Sequence, residues 1–460
     1  MTDKHALLQP ERGQNAISVH VVDTGTWEGF LKSRPSGQRA ALEAQKFEAE
    51  ANSFAILSEG DEWSVVAGVA KHDALSSWCL ARLAEKLPAG TYRLADGAPG
   101  AAMFGWAAGQ YSFDRYRSEP ADTKPRILLT SEAKAIGPIM AQANAVCLVR
   151  DLVNTSAEDM GPAQLEAEAE SLAKEHGAQL RVTRGDMLER EFPMVHMVGR
   201  AAGRDHAPRM IELEWGDAKH PRIAIVGKGV TFDSGGLNIK PSSGMLLMKK
   251  DMGGAAHALA LAKLIMGEGL KVRLHLLLPA AENSVSGTSF RPGDVLRSRA
   301  GISVEVTNTD AEGRLLLGDA LARAGEDNPE LIVDFATLTG AARSALGPDL
   351  PALFARQDST SEALISAGKD VDDECWRLPL HDGYREYLKS DISDIMNAHA
   401  NSFAGASVAA LFLDKFVPEG IEWAHFDTYA WRPVAKPGRP KGGEALGLRA
   451  TWRMLSQRYG

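Results

Sequence analysis

The amino-acid sequence predicts an α/β protein in which a small N-terminal α/β domain is joined by a long helix to a larger α/β domain. The chain has 460 residues, which is too long for a single core at roughly 100–200 residues per domain. Short apolar runs alternate with polar breaks over about the first 120 residues, and longer apolar runs alternate with helical patterns after about residue 157. These observations together indicate two domains.

Short apolar runs in the N-terminal part have the length and β-branched content of strands. They are SVHVVD (18–23), FAILSE (54–59), WSVVAGV (63–69) and GTYRLAD (90–96). Between them, SSWCLARLAEKL (76–87) has apolar residues at helical spacing and predicts a helix. A charged, proline-marked stretch, RYRSEPADTKPRI (115–127), then interrupts the pattern, so we place the N-terminal domain at residues 1–130.

A long helix is predicted over residues 131–156, where apolar residues recur at helical spacing and Ser131 can cap the N-terminus. The second domain, residues 157–460, contains apolar runs that follow the pattern of buried strands, each followed by a helix. The strands are 222–232, 271–280, 302–308, 331–340 and 421–430, and two of the helices are 253–266 and 313–326. This alternation predicts a sheet covered on both faces, with the chemistry in loops at the carboxyl ends of its strands.

Composition excludes several classes of protein. The chain has 51 lysines and arginines and 60 aspartates and glutamates. The net charge of −9 argues against a protein that mainly binds nucleic acid or anionic lipid through an extensive basic surface. Three widely separated cysteines form neither a disulfide framework nor a thiolate zinc motif. The first residues lack an apolar signal region, and no stretch approaches 18 uninterrupted apolar residues. A cytoplasmic location without membrane attachment is therefore expected.

Polar side chains concentrate in three loops that follow the predicted strands. These loops contribute four carboxylates, Asp233, Asp251, Asp310 and Glu312, and three cations, Lys228, Lys240 and Arg314. Asp310 and Glu312 stand two residues apart, which on extended chain directs both side chains to one side. Partly buried carboxylates repel unless cations compensate them, and a pair of Zn²⁺, Mn²⁺ or Mg²⁺ ions suits their oxygen ligands. Flanking glycines would let the backbone bend around such a cluster: Gly227, Gly229, Gly235, Gly236, Gly253, Gly254 and Gly313.

Each of these residues also has a structural interpretation. Asp251 precedes a helix and could be its N-cap, Asp310 and Glu312 could place negative charge at a helix N-terminus, and Arg314 or Lys228 could be surface residues. Considering the residues jointly favours a metal site. No Walker A, HExxH or GxSxG motif is present. His257, Asp319 and Asp334 lie in apolar elements and are expected to have structural roles.

Three segments, VGKGVTFDSGGLNIKP, MKKDMGGAA and NTDAEGRLLLGDAL, closely resemble the signatures of the leucyl aminopeptidase family, the cytosolic two-metal enzymes of family M17. The resemblance continues through DFATLTGA (334–341), SDISDIMNA (390–398) and GGEALGLR (442–449), and so covers essentially residues 150–460. It implies a macro-like N-terminal domain and a mixed-sheet catalytic domain. The activity that it implies is hydrolysis of the N-terminal residue from peptides, leucine-preferring but broad, by a water that two metals activate.

The resemblance also implies roles for individual residues. One metal, Mn²⁺ or Zn²⁺ and possibly Mg²⁺, would be held by Lys228, Asp233, Asp251 and Glu312, and the other by Asp233, Asp310 with its carbonyl, and Glu312. Lys240 would polarise the scissile carbonyl and stabilise the charge that develops on it. Arg314 would hold a bicarbonate ion that acts as the general base.

Substrate and assembly follow from the same resemblance. Met248, Thr337 and Gly340 would form an apolar pocket for the first side chain of a peptide with a free N-terminus, and the chain would form a homohexamer. Asn238, and Ser284 in ENS (282–284), depart from the commoner family pattern without touching a proposed ligand.

Two other functions stay open at this stage. A two-metal phosphoesterase would also use clustered carboxylates, and would place additional arginine, lysine or histidine around the phosphate. A DNA-binding regulator with secondary peptidase activity is a further alternative, against which the net charge of −9 argues.

Overall fold

The computed structural model describes residues 7–119 and 124–460. The chain divides into two compact units, one of residues up to Cys147 with Val434–Lys441, the other of Leu148–Pro433 with Gly442–Gly460. Residues 120–123, within the predicted boundary stretch 115–127, lie outside the described residues, as do the first six residues of the region assessed for a signal sequence. The sequence did not indicate that Val434–Lys441 belongs with the N-terminal unit.

Within the described residues, the N-terminal unit contains a six-stranded sheet in the order β1-β6-β5-β2-β4-β3, parallel except for β3. Its strands are β1 (Leu8–Pro10), β2 (Ile17–Val22), β3 (Phe54–Glu59), β4 (Glu62–Gly68), β5 (Gly90–Leu94) and β6 (Arg126–Thr130), and its helices are α1 (Trp27–Ser33), α2 (Ser36–Ala44), α3 (Ala81–Lys86) and α4 (Ala102–Ala108). The four predicted strands are confirmed. Helix α3 is shorter than predicted because the Ser77 carbonyl accepts a hydrogen bond from Gly105 of α4 at 2.9 Å instead of one within a helix.

The predicted linking helix is present as α5 (Ile136–Asn154), preceded by a 3-10 turn at Ala133–Ala135. Pro138 lies in its first turn, where a missing N–H costs no intrahelical hydrogen bond. Among the described residues, Ala133–Asn154 is the one stretch long and apolar enough to span a bilayer, with a mean hydropathy of 1.2 and half of its apolar window buried. Core helices meet the same criterion, so this carries no membrane assignment.

The second unit has a mixed nine-stranded sheet within the described part of the chain, in the order β16-β15-β18-β14-β9-β11-β8-β7, with β10 paired to β11. Its strands are β7 (Gln179–Arg184), β8 (Arg209–Trp215), β9 (Arg222–Gly227), β10 (Gly229–Asp233), β11 (Arg273–Asn283), β14 (Leu331–Ala336), β15 (Ala352–Ala355), β16 (Trp376–Arg377) and β18 (Glu422–Asp427). Short strands outside this sheet are β12 (Val295–Arg297), β13 (Ser303–Glu305), β17 (Ile395–Met396), β19 (Trp431–Arg432) and β20 (Gly442–Gly443).

Helices surround this sheet. They are α6 (Pro162–His176), α7 (Gly185–Glu191), α8 (Pro193–Gly199), α9 (Ser242–Met245), α10 (Gly253–Gly267), α11 (Gly313–Gly325), α12 (Gly340–Leu346), α13 (Asp358–Asp370), α14 (Gly405–Asp414) and α15 (Leu448–Tyr459), with 3-10 turns at Ala157–Asp159, Arg204–His206, Met248–Met252 and Asp382–Leu388. Four successive side chains of β9, from Ile223 to Val226, are each at most 1% exposed. Because neighbouring side chains of a strand point to opposite faces, both faces of the sheet are covered, as predicted.

The central strands β11, β9, β14 and β18 run parallel, so their carboxyl ends lie at one edge. The predicted strand 222–232 is two strands, β9 and β10, separated at Lys228. The chain leaves β9 there because the Lys228 N–H donates to the Phe335 carbonyl at 2.9 Å and the Lys228 carbonyl accepts from Ala255 at 2.8 Å. Lys228 is thereby fixed between β14 and α10.

Candidate functional site

A cavity of about 470 Å³ opens at the carboxyl ends of the central strands in the second unit. Its walls come from the loops after β9, β10, β14 and β18 and from the first turns of α11 and α12. All ten side chains or backbone positions that the sequence analysis proposed as site residues line it: Lys228, Asp233, Lys240, Met248, Asp251, Asp310, Glu312, Arg314, Thr337 and Gly340. The structure therefore brings together residues that are up to 112 positions apart along the chain.

Asp251 lies in the 3-10 turn that precedes α10 and is buried beside Lys228. Its carboxylate is held by the Thr337 hydroxyl, which donates to Oδ1 at 2.8 Å, and by the Lys228 ammonium, 2.7 Å from Oδ2. Met252 is the N-cap residue of α10, and no side chain caps that helix. The alternative interpretation of Asp251 as a helix cap is therefore wrong.

Close approach of neighbouring backbone or side-chain atoms explains the glycines around this site. A Cβ on Gly227 would lie 2.7 Å from Ala255 Cα, and one on Gly254 would overlap the Phe335 carbonyl and lie 2.8 Å from Lys228 N. Only Gly235 and Gly236, of the seven glycines noted in the sequence, have positive φ angles, at 86° and 63°. The expected bending applies to those two. Gly227, Gly253, Gly254 and Gly313 let α10 and α11 pack tightly against the site, and Gly229 lies against the Pro279 carbonyl of β11.

We expect Gly254→Ala to destabilise the metal-free protein by about 2–3 kcal/mol, because the added methyl group meets backbone atoms that cannot rotate away. Urea unfolding would measure the change. Gly203→Ala is the matched control, since its φ is −62° and its Cβ would meet nothing within 4 Å. A Gly254→Ala variant as stable as the Gly203→Ala variant would contradict this account of the packing.

Asp233 ends β10 and is fixed by residues that the sequence analysis did not assign. Asn283, at the end of β11, donates to Asp233 Oδ1 at 2.8 Å and to the Thr309 carbonyl at 3.1 Å. Asn238 joins the same network, because its Oδ1 accepts from the Thr309 N–H at 2.9 Å. The amide side chains therefore tie the loop after β10 to the loop before α11.

Asp310 and Glu312 converge on the cavity, but the extended backbone predicted for them is wrong. The chain turns at 309–310, and the Asp310 N–H donates to Asn308 Oδ1 at 2.8 Å. Asn397 stabilises the turn from outside by donating to the Asn308 carbonyl at 2.7 Å. A side chain–backbone turn of this type competes with regular strand geometry, which is the physical reason for the difference.

Two lysines pair with the four carboxylates. Lys228 Nζ lies 2.7 Å from Asp251 and 3.1 Å from Glu312, and donates to the Thr337 carbonyl at 3.0 Å. Lys240 Nζ lies 2.7 Å from Asp233 and also contacts Asp310. Lys228 is 2% exposed, so its interpretation as a surface residue is wrong. Four carboxylates against two ammonium groups leave an excess of negative charge.

Burial and mutual repulsion shift the ionisation of these groups. Burial, with Asp251 nearby, raises the pKa of Asp233 to about 6, and burial, with Asp233 nearby, raises the pKa of Glu312 to about 7. Burial also opposes the charged form of Lys228, but Asp251 and Glu312 outweigh it and raise the pKa of its ammonium well above the ordinary value. The pKa of Asp251 is lowered because Lys228 and Lys250 outweigh its burial.

The residues present fit a pair of divalent cations. Oxygen atoms of Asp233, Asp310 and Glu312 all lie within 4.8 Å of one another. Glu312 Oε2 is buried without a hydrogen-bond partner among the described residues. Carboxylate oxygens are the ligands that hard divalent ions prefer, and two such ions would reverse the local excess of negative charge.

Arg314 is 9% exposed, in the first turn of α11, so it is not the surface residue of the alternative interpretation. Its Nη1 donates to the Asn397 carbonyl at 2.6 Å, while Nε is buried and has no partner within the described ranges. Burial lowers the pKa of this guanidinium to about 10. Arg314 also lines the cavity, and a guanidinium suits a planar anion there.

The wall farther along the cavity contains residues that the sequence analysis missed. Met248 and Gly340 line it as expected, and a Cβ on Gly340 would meet nothing within 4 Å. Lys250, Arg343, Asp427 and Tyr429 also line it. Burial lowers the pKa of Lys250 to about 8. In the sequence, only the position of Lys250 directly before Asp251 indicated that it could line the site.

Structural roles are confirmed for the three polar residues in apolar elements. His257 Nδ1 lies 2.6 Å from the Gly253 carbonyl, and its Nε2 accepts from Leu446 at 3.0 Å. Asp319 accepts from the Met194 and Arg299 N–H groups, each at 2.8 Å. Asp334 accepts from Trp423 Nε1 at 2.7 Å and contacts His425.

Comparison with known families matches both units. The catalytic domain of the cytosol aminopeptidase family matches residues 147–451, and the M17 aminopeptidase N-terminal domain matches residues 17–129. A probable cytosol aminopeptidase from Rhodococcus erythropolis is 40% identical over 376 residues, which is 77% of this chain and 74% of that protein.

Solved structures agree over nearly the whole chain. The cytosol aminopeptidase from Coxiella burnetii has a TM-score of 0.92 and 44% identity, and the match covers 99% of this chain and 100% of that one. The bottromycin maturation enzyme BotP, in complex with Mn, has a TM-score of 0.86 and 32% identity over 97% of this chain and 100% of its own.

Proposed function

The chain belongs to the cytosol aminopeptidase family and is an aminopeptidase, and on that premise we propose how its residues remove N-terminal residues from peptides. The observation that carries the proposal is that all ten site residues line one cavity, with three of their carboxylates within 4.8 Å of one another. The phosphoesterase alternative has support in two additional cations of the cavity, Lys250 and Arg343, but family membership favours peptide hydrolysis.

Lys228, Asp233, Asp251 and Glu312 would hold one divalent ion, and Asp233, Asp310 and Glu312 the other. The two proposed ions are Mn²⁺ or Zn²⁺, with Mg²⁺ as an alternative. A relative solved in complex with Mn supports the choice of Mn²⁺. When bound, the ions supply Lewis acidity that polarises a peptide carbonyl and lowers the pKa of water. Lys228 would bind through its neutral amine, so it must first lose the proton that Asp251 and Glu312 stabilise.

Lys240 would donate to the scissile carbonyl oxygen as negative charge develops there. Its ammonium now pairs with Asp233 and Asp310. With divalent ions held by those carboxylates, the ammonium would be left as a donor at the same wall of the cavity, where burial would strengthen its electrostatic effect.

Arg314, which lines the cavity, would hold bicarbonate through its guanidinium. A guanidinium binds a planar carboxylate-like anion through two parallel hydrogen bonds. The anion would supply a proton acceptor, since no histidine is among the described residues that line the cavity.

Met248, Thr337 and Gly340 would contact the first side chain of the substrate. One methylene in such a pocket is worth only ~1–3 kcal/mol, so we propose a broad specificity that favours leucine or methionine. Thr337 has a second role in this proposal, because its hydroxyl and carbonyl also hold Asp251 and Lys228.

The function is tested with Mn²⁺-loaded protein and three chromogenic compounds. We expect hydrolysis of leucine p-nitroanilide, none of its N-acetyl derivative, and none of p-nitrophenyl phosphate. Hydrolysis of only the phosphate ester would favour the phosphoesterase, and equal hydrolysis of the blocked anilide would rule out recognition of a free N-terminus.

We expect metal binding to release protons, and more of them at lower pH. Lys228 keeps its proton through the neutral range, whereas Glu312 and Asp233, with pKa values of about 7 and about 6, are largely ionised at pH 8 and partly protonated at pH 6. Mn²⁺ loading should therefore release about one proton per subunit at pH 8 and between about two and three near pH 6, so that affinity rises with pH.

Calorimetric titration of Mn²⁺ in buffers of different ionisation enthalpy measures this release. Lys263→Met, which removes a partly exposed lysine paired with Glu175 outside the cavity, should release the same number of protons as the unaltered protein. Release that does not change with pH would contradict the proposed ionisation of Glu312 and Asp233.

Three further assignments rest on the family. We propose a cytoplasmic location, since relatives are named cytosol aminopeptidases, and a homohexamer, which the family resemblance implies. We also propose the domain division 1–130, linking helix 131–156 and catalytic domain 157–460, which the family matches at 17–129 and 147–451 support. Mass photometry would test the hexamer, with a mass of six 49.4 kDa subunits expected.

A further inference from the structure

A second group of metal-ligating side chains lies at the amino ends of the central strands, away from the catalytic cavity. Ligand atoms of Glu214, His275 and Asp327 all lie within 4.8 Å of one another. His275 is near the start of β11, whereas Asn283, which fixes Asp233, ends that strand roughly 26 Å farther along. Glu214, His275 and Asp327 do not line the catalytic cavity. The group is therefore separate from the proposed catalytic site.

Regular secondary structure brings the three side chains together. Glu214 of β8 and His275 of β11 are directly paired in the antiparallel ladder, so both side chains project from the same face of the sheet. Asp327 reaches this face from the chain that follows α11, which ends at Gly325. Glu214 and Asp327 are partly exposed, which gives an ion access from solvent.

His275 is the observation that points to a ligand. It is 0% exposed, and neither ring nitrogen makes a hydrogen bond with a residue in the described part of the chain. Nδ1 lies 3.6 Å from Asp327 Oδ2, and Nε2 lies 3.3 Å from Glu212 Oε1. A metal-bound histidine commonly ligates through one ring nitrogen and donates from the other to a carboxylate. His275 is placed for both contacts, with Asp327 on the ligand side and Glu212 on the other.

A guanidinium occupies the space between the two partly exposed carboxylates. Arg222 Nη2 lies 3.2 Å from Glu214 Oε1 and 3.0 Å from Asp327 Oδ2, and its Nε is buried without a hydrogen-bond partner within the described ranges. Arg273 and Arg323 hold the same carboxylates from outside, at 3.2 Å from Glu214 Oε2 and 2.9 Å from Asp327 Oδ2. The position between the carboxylates therefore already attracts a cation. The Arg222 side chain is 15% exposed, so it has a route to solvent when an ion takes its place.

We propose that Glu214, His275 and Asp327 bind one Zn²⁺ ion, which displaces the Arg222 guanidinium and takes water as its fourth ligand. One imidazole nitrogen with two carboxylate oxygens is a donor set that suits Zn²⁺ better than Mg²⁺ or Ca²⁺. Atoms bound to one tetrahedral zinc ion at about 2.1 Å are roughly 3.4 Å apart, so the three side chains need to converge by about 1 Å. The inference does not depend on the proposed function, because the site lies outside the catalytic cavity.

Equilibrium dialysis of the Mn²⁺-loaded protein against Zn²⁺, followed by analysis of both metals, tests the site. The unaltered protein should carry one more metal ion per subunit than His275→Gln or Asp327→Asn. Comparing total metal content removes the effect of Zn²⁺ that exchanges for Mn²⁺ in the catalytic cavity. His381→Gln, which removes an exposed imidazole, is the matched control and should carry the same number of ions as the unaltered protein.

Circular dichroism and thermal unfolding show whether each variant is folded. His275 is buried and its replacement could prevent folding, whereas Asp327 is partly exposed, so Asp327→Asn keeps the comparison available. Equal metal content in the unaltered protein and a folded ligand variant would overturn the inference. Anomalous diffraction at the zinc absorption edge should place the additional ion at His275 Nδ1, and an additional ion bound elsewhere would overturn it as well.

Two further variants distinguish a metal site from a network of ion pairs. Glu212→Gln should weaken binding of the additional Zn²⁺ roughly 10- to 100-fold, because it removes the carboxylate that orients His275. Arg222→Met should strengthen this binding, since it removes the competing guanidinium. Competition with a chelating dye measures both affinities. Unchanged affinity in both variants would show that the additional ion is not bound by this group.

The metal count also separates this inference from the proposed function. If the catalytic cavity binds no ion, the unaltered protein should still bind one Zn²⁺ that His275→Gln lacks, and only the proposed function would fail. A complete catalytic metal pair without an additional ion leaves the function standing and removes the inference.

Discussion

Replacing Glu312 with glutamine is expected to abolish tight binding of the metal pair and to lower kcat/KM for leucine p-nitroanilide more than about 1,000-fold. The side chain belongs to the carboxylate group with Asp233 and Asp310, and its buried Oε2 lacks a hydrogen-bond partner within the described ranges. The Lewis acidity lost with the ions is worth several kcal/mol in the transition state. Asp233→Ala should have the same effect, because Asp233 is proposed to contact both ions.

The metal-free Glu312→Gln protein should be at least as stable as the unaltered chain. The pKa of Glu312 is raised to about 7, so its ionised form reduces folding stability as the pH rises through that value, and glutamine removes this penalty. Metal analysis after gel filtration and thermal unfolding with and without Mn²⁺ measure the two effects. Glu386→Gln, at an exposed residue paired with Lys389, is the control. Full metal retention in Glu312→Gln would overturn the assignment.

Lys240→Met is expected to lower kcat roughly 100- to 1,000-fold while both metal ions remain bound. The reason is that this ammonium is proposed to stabilise charge on the carbonyl oxygen and not to bind metal. Its removal also frees Asp233 and Asp310 from a competing cation, so metal affinity should stay the same or rise. Steady-state kinetics and Mn²⁺ titration on the same preparation separate the two effects.

Lys219→Met, at an exposed lysine outside the cavity, should leave both quantities unchanged. A Lys240→Met enzyme that loses metal together with activity would show that the ammonium organises the carboxylates. One that keeps full activity would remove Lys240 from the chemistry.

The regular parts of the fold could be predicted from the sequence because their signals are local. Apolar runs identified β2, β3, β9 and β14, and the linking helix followed from helical spacing. The start of α3 could not be predicted, because it depends on a hydrogen bond from Gly105 to Ser77, and that contact exists only after folding.

The candidate site residues could be proposed from the sequence because four short segments, the three motifs and DFATLTGA, hold them at fixed spacing. The supporting residues could not, since Asn283, Asn397 and Asp427 act through contacts with segments far away in sequence. The burial of Lys250 in the cavity wall could not be predicted either. Next to another lysine in MKKDM, this residue has the sequence signature of a solvated pair, and only the folded structure shows that Lys250 is buried while Lys249 donates to the Asn154 carbonyl.

The pairing of two lysines with four carboxylates has a consequence for how the enzyme matures. Because Lys228 and Lys240 already compensate part of the charge, the pocket can assemble during folding without any ion from the surroundings. Maturation would then be a sequence of two events, folding followed by exchange of the Lys228 ammonium proton for metal. Which metal the enzyme carries would therefore depend on the ions available to the folded protein. A change in the available metal ions could then alter the activity of existing molecules without new protein synthesis.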